Sequence, residues 1–342
     1  MPRAVIIGAG ALGLGFLAER MAGSYDLCLA DLPSRQPFLR RLAEAQGFGL
    51  NLCWPDRMEV RDVRGAFQVA DVSDRTGPLE AALREADLVL TAVGGRALPE
   101  VMRVIAPILT ARTRRCWLLF CENGRNIAAT FGKDLGPLVD PVDTVMSRMC
   151  RFADPGEERY APAWPDRAEK LVVESYGRIP LDRALCGEGP FAPVFDLVDS
   201  ADFRMWEDIK LFMHNGLHAF VAYHAWLEGT TRFPAVSRSI WSEARCVMQE
   251  ELVPAIAFHH PAARPGDLEE YGRELLQRFA SPCLNDSIER GVRGAAEKLA
   301  PGERLLGGRD YILEAGIEPR GYATTIDAAR RVVEETRHAL PA

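Results

Sequence analysis

The stretch RAVIIGAGALGLGF, residues 3–16, limits the fold more than any other part of the chain. RAVIIG is a short apolar run rich in β-branched residues that ends on glycine, which reads as a buried strand. ALGLGFLAERMAG has helical periodicity, and YDLCLAD reads as a second buried strand. Strand, glycine turn, helix and strand form a βαβ unit, whose parallel strands are joined by a right-handed crossover. Gly8, Gly10 and Gly13 stand in G-x-G-x-x-G order in that turn. The first glycine permits the tight turn, the second lets backbone approach a pyrophosphate, and the third allows helix and strand to pack closely. The helix start then offers free N–H groups to phosphate.

The motif alone is weak, but its context is right. Asp31 ends the second strand about twenty residues on, where a carboxylate can bond the ribose hydroxyls of a dinucleotide. That charge would repel a 2′-phosphate, so NAD is expected over NADP, although Arg35 nearby in sequence blurs the choice. Backbone contacts to the cofactor are expected at Gly8, Gly10, Ala11, Leu12 and Gly13. TAVGG, carrying Ala92, Val93 and Gly94, suits a second cofactor loop after a later strand, or a plain strand-end turn.

Further along, ADLVLTAV and CWLLFCEN read as strands of the same sheet with the helical RALPEVMRVIAPIL between them. FGLNL, MEVRDV and AFQVADV alternate and are separated by Pro55 and Gly65, which predicts short antiparallel strands inserted into the first domain. DTVMSRMCRF and EKLVVESYG extend it, with the proline-rich YAPAWPDR as a loop between them. From about residue 200 the pattern is helical almost throughout, and DFRMWEDIKLFMHNGLHAFVAYHAWLEG reads as one long helix that Gly229 ends. The fold class is α/β: a Rossmann-type dinucleotide-binding domain with inserted strands over 1–195, followed by a mostly α-helical C-terminal domain over 196–342.

The net charge of −7 and pI near 5.5 argue against nucleic acid as a partner. Eight cysteines without a C-x-x-C pair, several inside apolar runs, fit free thiols in a reduced cytoplasm. The amino terminus reaches glycine too soon for a signal peptide, and no membrane span is expected.

KLFMHNGLHA, beginning at Lys210, poses the chemical question. With Lys210 at zero on a regular helix, His214 falls at about 40°, Glu207 at about 60°, His218 at about 80° and Asn215 at about 140°. A solvated face would cluster in this way too, but solvated faces favour Glu, Lys and Arg over His and Asn. The set suits oxidation of an alcohol by a nicotinamide cofactor, which needs a base at the hydroxyl and donors for the developing oxyanion. A lysine serves as that base only when burial and a nearby positive charge bring its pKa towards neutrality. The wheel does not choose between His214 and His218. Those two histidines have zinc-compatible spacing, but a third ligand is lacking and no metal is expected. His259 and His260 fit a helix-end cap, and His224 and His338 belong to no constellation.

Taken with IIGAGALGLGF, DLVLTAVG, CENG and RFASPCLNDSIERGVRGAAEKLAPGERLL, this helix resembles the polyol-specific long-chain dehydrogenases, the mannitol dehydrogenase family. The resemblance is collinear over nearly the whole chain, and K-x-x-x-x-N-x-x-H is its most specific element. It implies Lys210 as general base, Asn215 and Asn123 as oxyanion donors and His218 as the histidine that orients substrate. Asn123, just past a strand end, also suits a plain turn or a cofactor contact. Glu207 matches a glutamate near the base, and Arg290 and Arg293 match arginines able to grip an anionic substrate end. Ion pairs with Glu289 or Glu297 are the structural alternative for those arginines.

Three departures stand out. Ser147 replaces a family acid, the chain stops short of the usual helical tail, and GVRGAAEKL replaces a proline-bearing turn. The implied activity is NAD-dependent interconversion of a secondary alcohol of a polyol, sugar acid or sugar phosphate with its ketose. The partner would be that small molecule, and the protein a monomer or small homo-oligomer. A ketopantoate-reductase-like β-hydroxyacid dehydrogenase and a non-catalytic NAD-binding sensor are the alternatives.

Overall fold

A computed structural model describes residues 1–74, 76–164 and 168–339. The chain divides into two compact units, Met1–Phe203 and Arg204–Ala342. Residues 165–167 of the proline-rich stretch and the side chain of His338 lie outside the described residues.

The first unit contains strands β1 (Arg3–Ile7), β2 (Asp26–Asp31), β3 (Gly47–Cys53), β4 (Met58–Arg64), β5 (Phe67–Asp71), β6 (Leu88–Thr91), β7 (Cys116–Phe120), β8 (Val139–Asp143), β9 (Cys150–Phe152) and β10 (Leu171–Glu174). Six form a parallel sheet in the order β5-β2-β1-β6-β7-β8. Side chains of β1 alternate between two cores: Ala4 and Ile6 join one, Val5 and Ile7 the other. On the first face Ile6 shares a core with Leu14 and Phe16 from the helix after the glycine turn. On the second, Ile7 shares a core with Leu79, Leu83 and Ile105 from helices Pro78–Glu85 and Leu98–Thr110. Each such large apolar side chain contributes about 1.5–3 kcal/mol when fully buried. This two-sided burial is why β1 reads as a continuous apolar run.

The alternating segments part company in the fold. FGLNL and MEVRDV form the antiparallel hairpin β3–β4, with Gly47 opposite Arg64 and Cys53 opposite Met58. AFQVADV instead becomes β5, which lies parallel to β2 at the edge of the main sheet. Phe67 enters one core and Ala70 the other, while Gln68 is exposed, so the polar alternation marks an edge strand and not a hairpin. A second sheet runs β4-β3-β10-β9, with β10 parallel to β3 and antiparallel to β9. Gly15 lets this sheet approach the first helix, since a Cβ there would stand 2.4 Å from Cγ1 of Val173.

The second unit is helical, as the sequence predicts. The run begun at Ser200 is not one regular helix, however. An α segment Ser200–Asp208 gives way to a wide π turn at Ile209–His214, and α geometry resumes over Asn215–Leu227. A second wide turn, Met248–Leu252, interrupts the stretch from Arg238 to His259. Helices Pro265–Phe279, Ile288–Val292, Leu306–Glu314 and Arg320–Ala339 complete the unit. Its core holds Leu217, Tyr223, Phe233, Leu252, Phe279 and Ile312, all fully or almost fully buried. Among the described residues no helix is long and apolar enough to cross a membrane.

Candidate active site

In the first unit, the strand order changes direction between β1 and β6, which in parallel sheets opens a crevice beyond the carboxyl ends of the strands. The loops at those ends are tied together by backbone bonds: Gly8 N–H donates to Ala30 (2.9 Å), Ala92 N–H to Ile7 (2.7 Å) and Cys121 N–H to Thr91 (3.0 Å). The three glycines of the turn answer to three physical demands. Gly8 has φ +96°, and a Cβ there would stand 2.5 Å from the Ala92 carbonyl oxygen. A Cβ on Gly13 would stand 2.0 Å from the Gly8 carbonyl oxygen. Gly10, like Gly94 and Gly95, would meet nothing within 4 Å. Open backbone at Gly10 and Gly94 leaves room that a dinucleotide could use, with Ala11 and Leu12 leading into the helix. The residues fit that group.

Asp31 ends β2, and its carboxylate accepts the Leu32 N–H at 2.7 Å. The Arg35 guanidinium lies over the Phe38 ring, 4.2 Å from its centroid. Glu122, which precedes Asn123, is buried and accepts from the Thr91 hydroxyl (2.7 Å) and the Val93 N–H (3.1 Å). Burial pushes its carboxyl pKa upward against those donors. Glu122 thus pins the loop through Ala92, Val93 and Gly94 to the end of β7. Asn123 follows it into an exposed turn. Ser147 is buried, in a segment without regular structure between β8 and β9.

In the second unit the wide turn rearranges the polar stripe. The Asn215 N–H donates to the Lys210 carbonyl, five residues back, in place of the usual four. That bond stacks Asn215 above Lys210, nearer than a regular wheel allows, and His218 follows one α turn later on Asn215's face. Lys210 and Glu207 are half-buried, and Asn215 is buried. Wide turns inside α-helices occur frequently at functional sites.

The two histidines differ. His214 is buried with its ring edge on Phe279, centroids 5.3 Å apart, and its Nδ1 has no hydrogen-bond partner. Burial, then the positive charges of Lys210 and Arg278, hold its pKa well below the ordinary value, which disfavours its charged form. His218 packs between Phe233 and Phe279, centroids 4.5 and 5.0 Å away, with Nε2 3.7 Å from Oδ2 of Asp286. Burial lowers its pKa, and Asp286 opposes that shift. Asp286 in turn receives two charge-assisted bonds from Arg290, Nε to Oδ1 at 2.8 Å and Nη2 to Oδ2 at 2.7 Å. Burial alone would raise the Asp286 carboxyl, but His218 and Arg290 together hold it well below the carboxylate range.

Arg290 therefore pairs with Asp286, an acid not considered from the sequence. Arg293 reaches Glu289 at 3.4 Å, with both side chains largely exposed. Lys298 joins the cluster unannounced. Its Nζ donates to the Gly291 carbonyl at 2.6 Å, and Gly291 packs so closely that a Cβ there would stand 3.3 Å from Cε1 of His218. Burial and then Arg304 bring the Lys298 pKa down to about 7. Asp286 had a signal in sequence, four residues before Arg290 at ion-pair spacing on a helix. Glu122 had a weaker one, as the acid beside Asn123, and Lys298 had none that separates it from a solvated lysine. His259 lies in the last turn of Val253–His259 and His260 is its C-cap, with the His260 N–H donating to the Ile256 carbonyl at 2.8 Å, while both rings reach beyond the helix. His259 Nε2 meets the Tyr311 carbonyl at 2.9 Å, and His260 Nε2 meets Oδ2 of Asp208 at 2.7 Å. Among the described residues no group of three or more His, Cys, Asp or Glu is placed to hold a metal ion.

Comparison with known proteins follows the same division. The family description "Mannitol dehydrogenase Rossmann domain" matches residues 2–146, and "Mannitol dehydrogenase C-terminal domain" matches residues 202–339. Mannitol-1-phosphate 5-dehydrogenase of Arthrobacter sp. (strain FB24) is 28% identical over 338 residues, spanning 96% of this chain and 86% of that protein. The enzyme of the same name from Shouchella clausii (strain KSM-K16) is 28% identical over 334 residues, spanning 95% of this chain and 87% of that protein. Pseudomonas fluorescens mannitol 2-dehydrogenase, solved with NAD and D-mannitol, superposes with a TM-score of 0.76 at 17% identity, over 96% of this chain and 78% of that one. A ketopantoate reductase from Ralstonia eutropha shares the fold more loosely, with a TM-score of 0.54 at 19% identity over 98% of this chain and 100% of that one. With a Rossmann unit and a helical unit each matched in turn, the chain belongs to the mannitol dehydrogenase family of oxidoreductases, which act on CH–OH groups.

Proposed function

We propose that this dehydrogenase uses NAD to interconvert a secondary alcohol and a ketone on an anionic polyol, a sugar phosphate of the mannitol 1-phosphate class or a sugar acid. The observation that carries this reading is the wide turn that stacks Asn215 on Lys210 and leads to the His218–Asp286–Arg290 cluster. Bound NAD would supply the hydride acceptor. Lys210, as the neutral amine, takes the hydroxyl proton in oxidation and returns it in reduction. Asn215 and Asn123 donate to the oxygen as negative charge builds there. Asp286, whose Oδ2 lies 3.7 Å from Nε2, favours the His218 proton on that nitrogen, which leaves Nδ1 to accept from a substrate hydroxyl. Glu207, three residues before Lys210, is suited to relay the released proton. Arg290, Arg293 and Lys298 supply positive charge for an anionic substrate end.

Asp31 supports NAD over NADP, because its carboxylate would face a 2′-phosphate while Arg35 is engaged on Phe38. The name of the Arthrobacter and Shouchella relatives supports a phosphorylated substrate. The test is NAD reduction by the purified protein across phosphorylated polyols, free polyols and sugar acids, repeated with NADP. Lys210→Ala should lower turnover by about a thousandfold and leave NAD affinity unchanged. Turnover retained at the parent's rate would overturn the assignment, as would a loss of turnover that follows from lost NAD binding.

A further inference from the structure

The wide turn that sets Lys210 against Asn215 is held from outside its own helix. The hydroxyl of Tyr322, a residue only 2% exposed, donates to the Phe212 carbonyl in the middle of that turn. Side-chain insertion into a helix hydrogen-bond ladder is a recognised cause of such irregularity. Room for the hydroxyl comes from Gly216, where a Cβ would stand 2.0 Å from the Tyr322 oxygen. Glycine in a helix interior costs roughly 0.5–1 kcal/mol relative to alanine, and here the cost is explained by the tyrosine. Tyr322 is itself fixed from both sides. Glu251 accepts the Gly321 N–H (2.6 Å) and the Tyr322 N–H (3.3 Å) at the start of the Arg320–Ala339 helix, and a Cβ on Gly308 would stand 2.3 Å from the Tyr322 ring.

We infer that Tyr322 is a positioning residue for proton transfer: by holding the Phe212 carbonyl it maintains the turn that registers Lys210 with Asn215, and Glu251 and Gly216 fix where its hydroxyl lies. The inference rests on Lys210 being the base, as proposed above.

The experiment uses the full-length protein with its best polyol substrate. Tyr322→Phe keeps the ring and removes one hydroxyl. Its kcat should fall roughly ten- to hundredfold, the range expected when a reacting group is displaced by a fraction of an ångström to an ångström. The KM values for substrate and NAD, and the melting temperature, should stay close to those of the parent. Gly216→Ala should also lower kcat, and it should lower the melting temperature because its methyl group collides with the hydroxyl; in the double variant the methyl group occupies the place of the missing hydroxyl, so stability should recover and kcat should fall no further than in either single variant. A lowered melting temperature with unchanged kcat per folded molecule would make Tyr322 a packing residue only and overturn the inference, as would additive losses in the double variant. Lys210→Ala measured alongside separates the two claims. If it is active, the base assignment fails; if it is inactive while Tyr322→Phe turns over normally, only the positioning role fails.

Discussion

Single residues in the glycine turn carry opposite burdens that their shared identity conceals. Gly8 is required by conformation and contact, at φ +96° with the Ala92 carbonyl oxygen 2.5 Å from where a Cβ would stand, whereas Gly10 faces open space. Gly8→Ala should therefore cost about 1–3 kcal/mol of stability, read from the urea midpoint without cofactor. Gly10→Val should leave that midpoint unchanged and weaken NAD binding at least about tenfold, since backbone could no longer approach the pyrophosphate. Equal stability losses in both variants would remove the cradle from the interpretation. The G-x-G-x-x-G spacing made these positions legible in the sequence because backbone geometry, not distant packing, selects glycine there. Glu122 was harder to read. A carboxylate beside an asparagine has no pattern that reveals whether it turns inward, and only the positions of Thr91 and Val93 show that it does.

At the level of elements, the helix bearing Lys210 shows what periodicity can and cannot settle. Its apolar pattern predicts a helix and one is present, but a regular 100° wheel misplaces Asn215, because the Ile209–His214 turn closes five residues back. The cause lies in Tyr322, far along the chain, so no local pattern contains it. The same limit applies to β5, whose partner β2 is remote in sequence and which alternates as a hairpin strand does. Asp286 joins two elements in a similar way, linking His218 on one helix to Arg290 on another. Asp286→Asn keeps the shape and removes the charge. With Arg290 partly exposed and able to rehydrate, the cost should be roughly 1–3 kcal/mol, with a ten- to hundredfold fall in kcat/KM, about the cost of losing a charge that orients a reacting residue. Because the carboxyl is held below its ordinary value in the folded chain, its stabilisation is complete above the unfolded pKa of about 3.9 and is lost as pH falls further. The stability difference between parent and variant should thus be flat near neutrality and shrink below about pH 4. A constant difference down to acid pH would show that the carboxylate is not stabilised by His218 and Arg290.

For the molecule as a whole, a net charge of −7 opposes an anionic substrate at long range. At physiological salt that repulsion is screened within about 8 Å, so recognition has to come from cations at the site. Lys298 is the one whose charge is in question. Arg304, Arg290 and Arg293 reinforce the effect of burial, Glu297 offsets part of it, and the resulting pKa is about 7. A lowered lysine pKa favours the neutral form in the folded chain, so stability should rise with pH between about 7 and the unfolded value of about 10.4 and level off above it. Lys298→Met should flatten that slope in urea titrations. Binding has the opposite sign. Above pH 7, where a phosphate monoester is already dianionic, the KM of a phosphorylated polyol should climb as Lys298 loses its proton, while the KM of an uncharged polyol stays level. Lys298→Arg keeps the charge throughout, so the climb should vanish in that variant. If the climb persists there, the titrating group is another one, and Lys298 serves the Gly291 turn beside His218 without touching substrate.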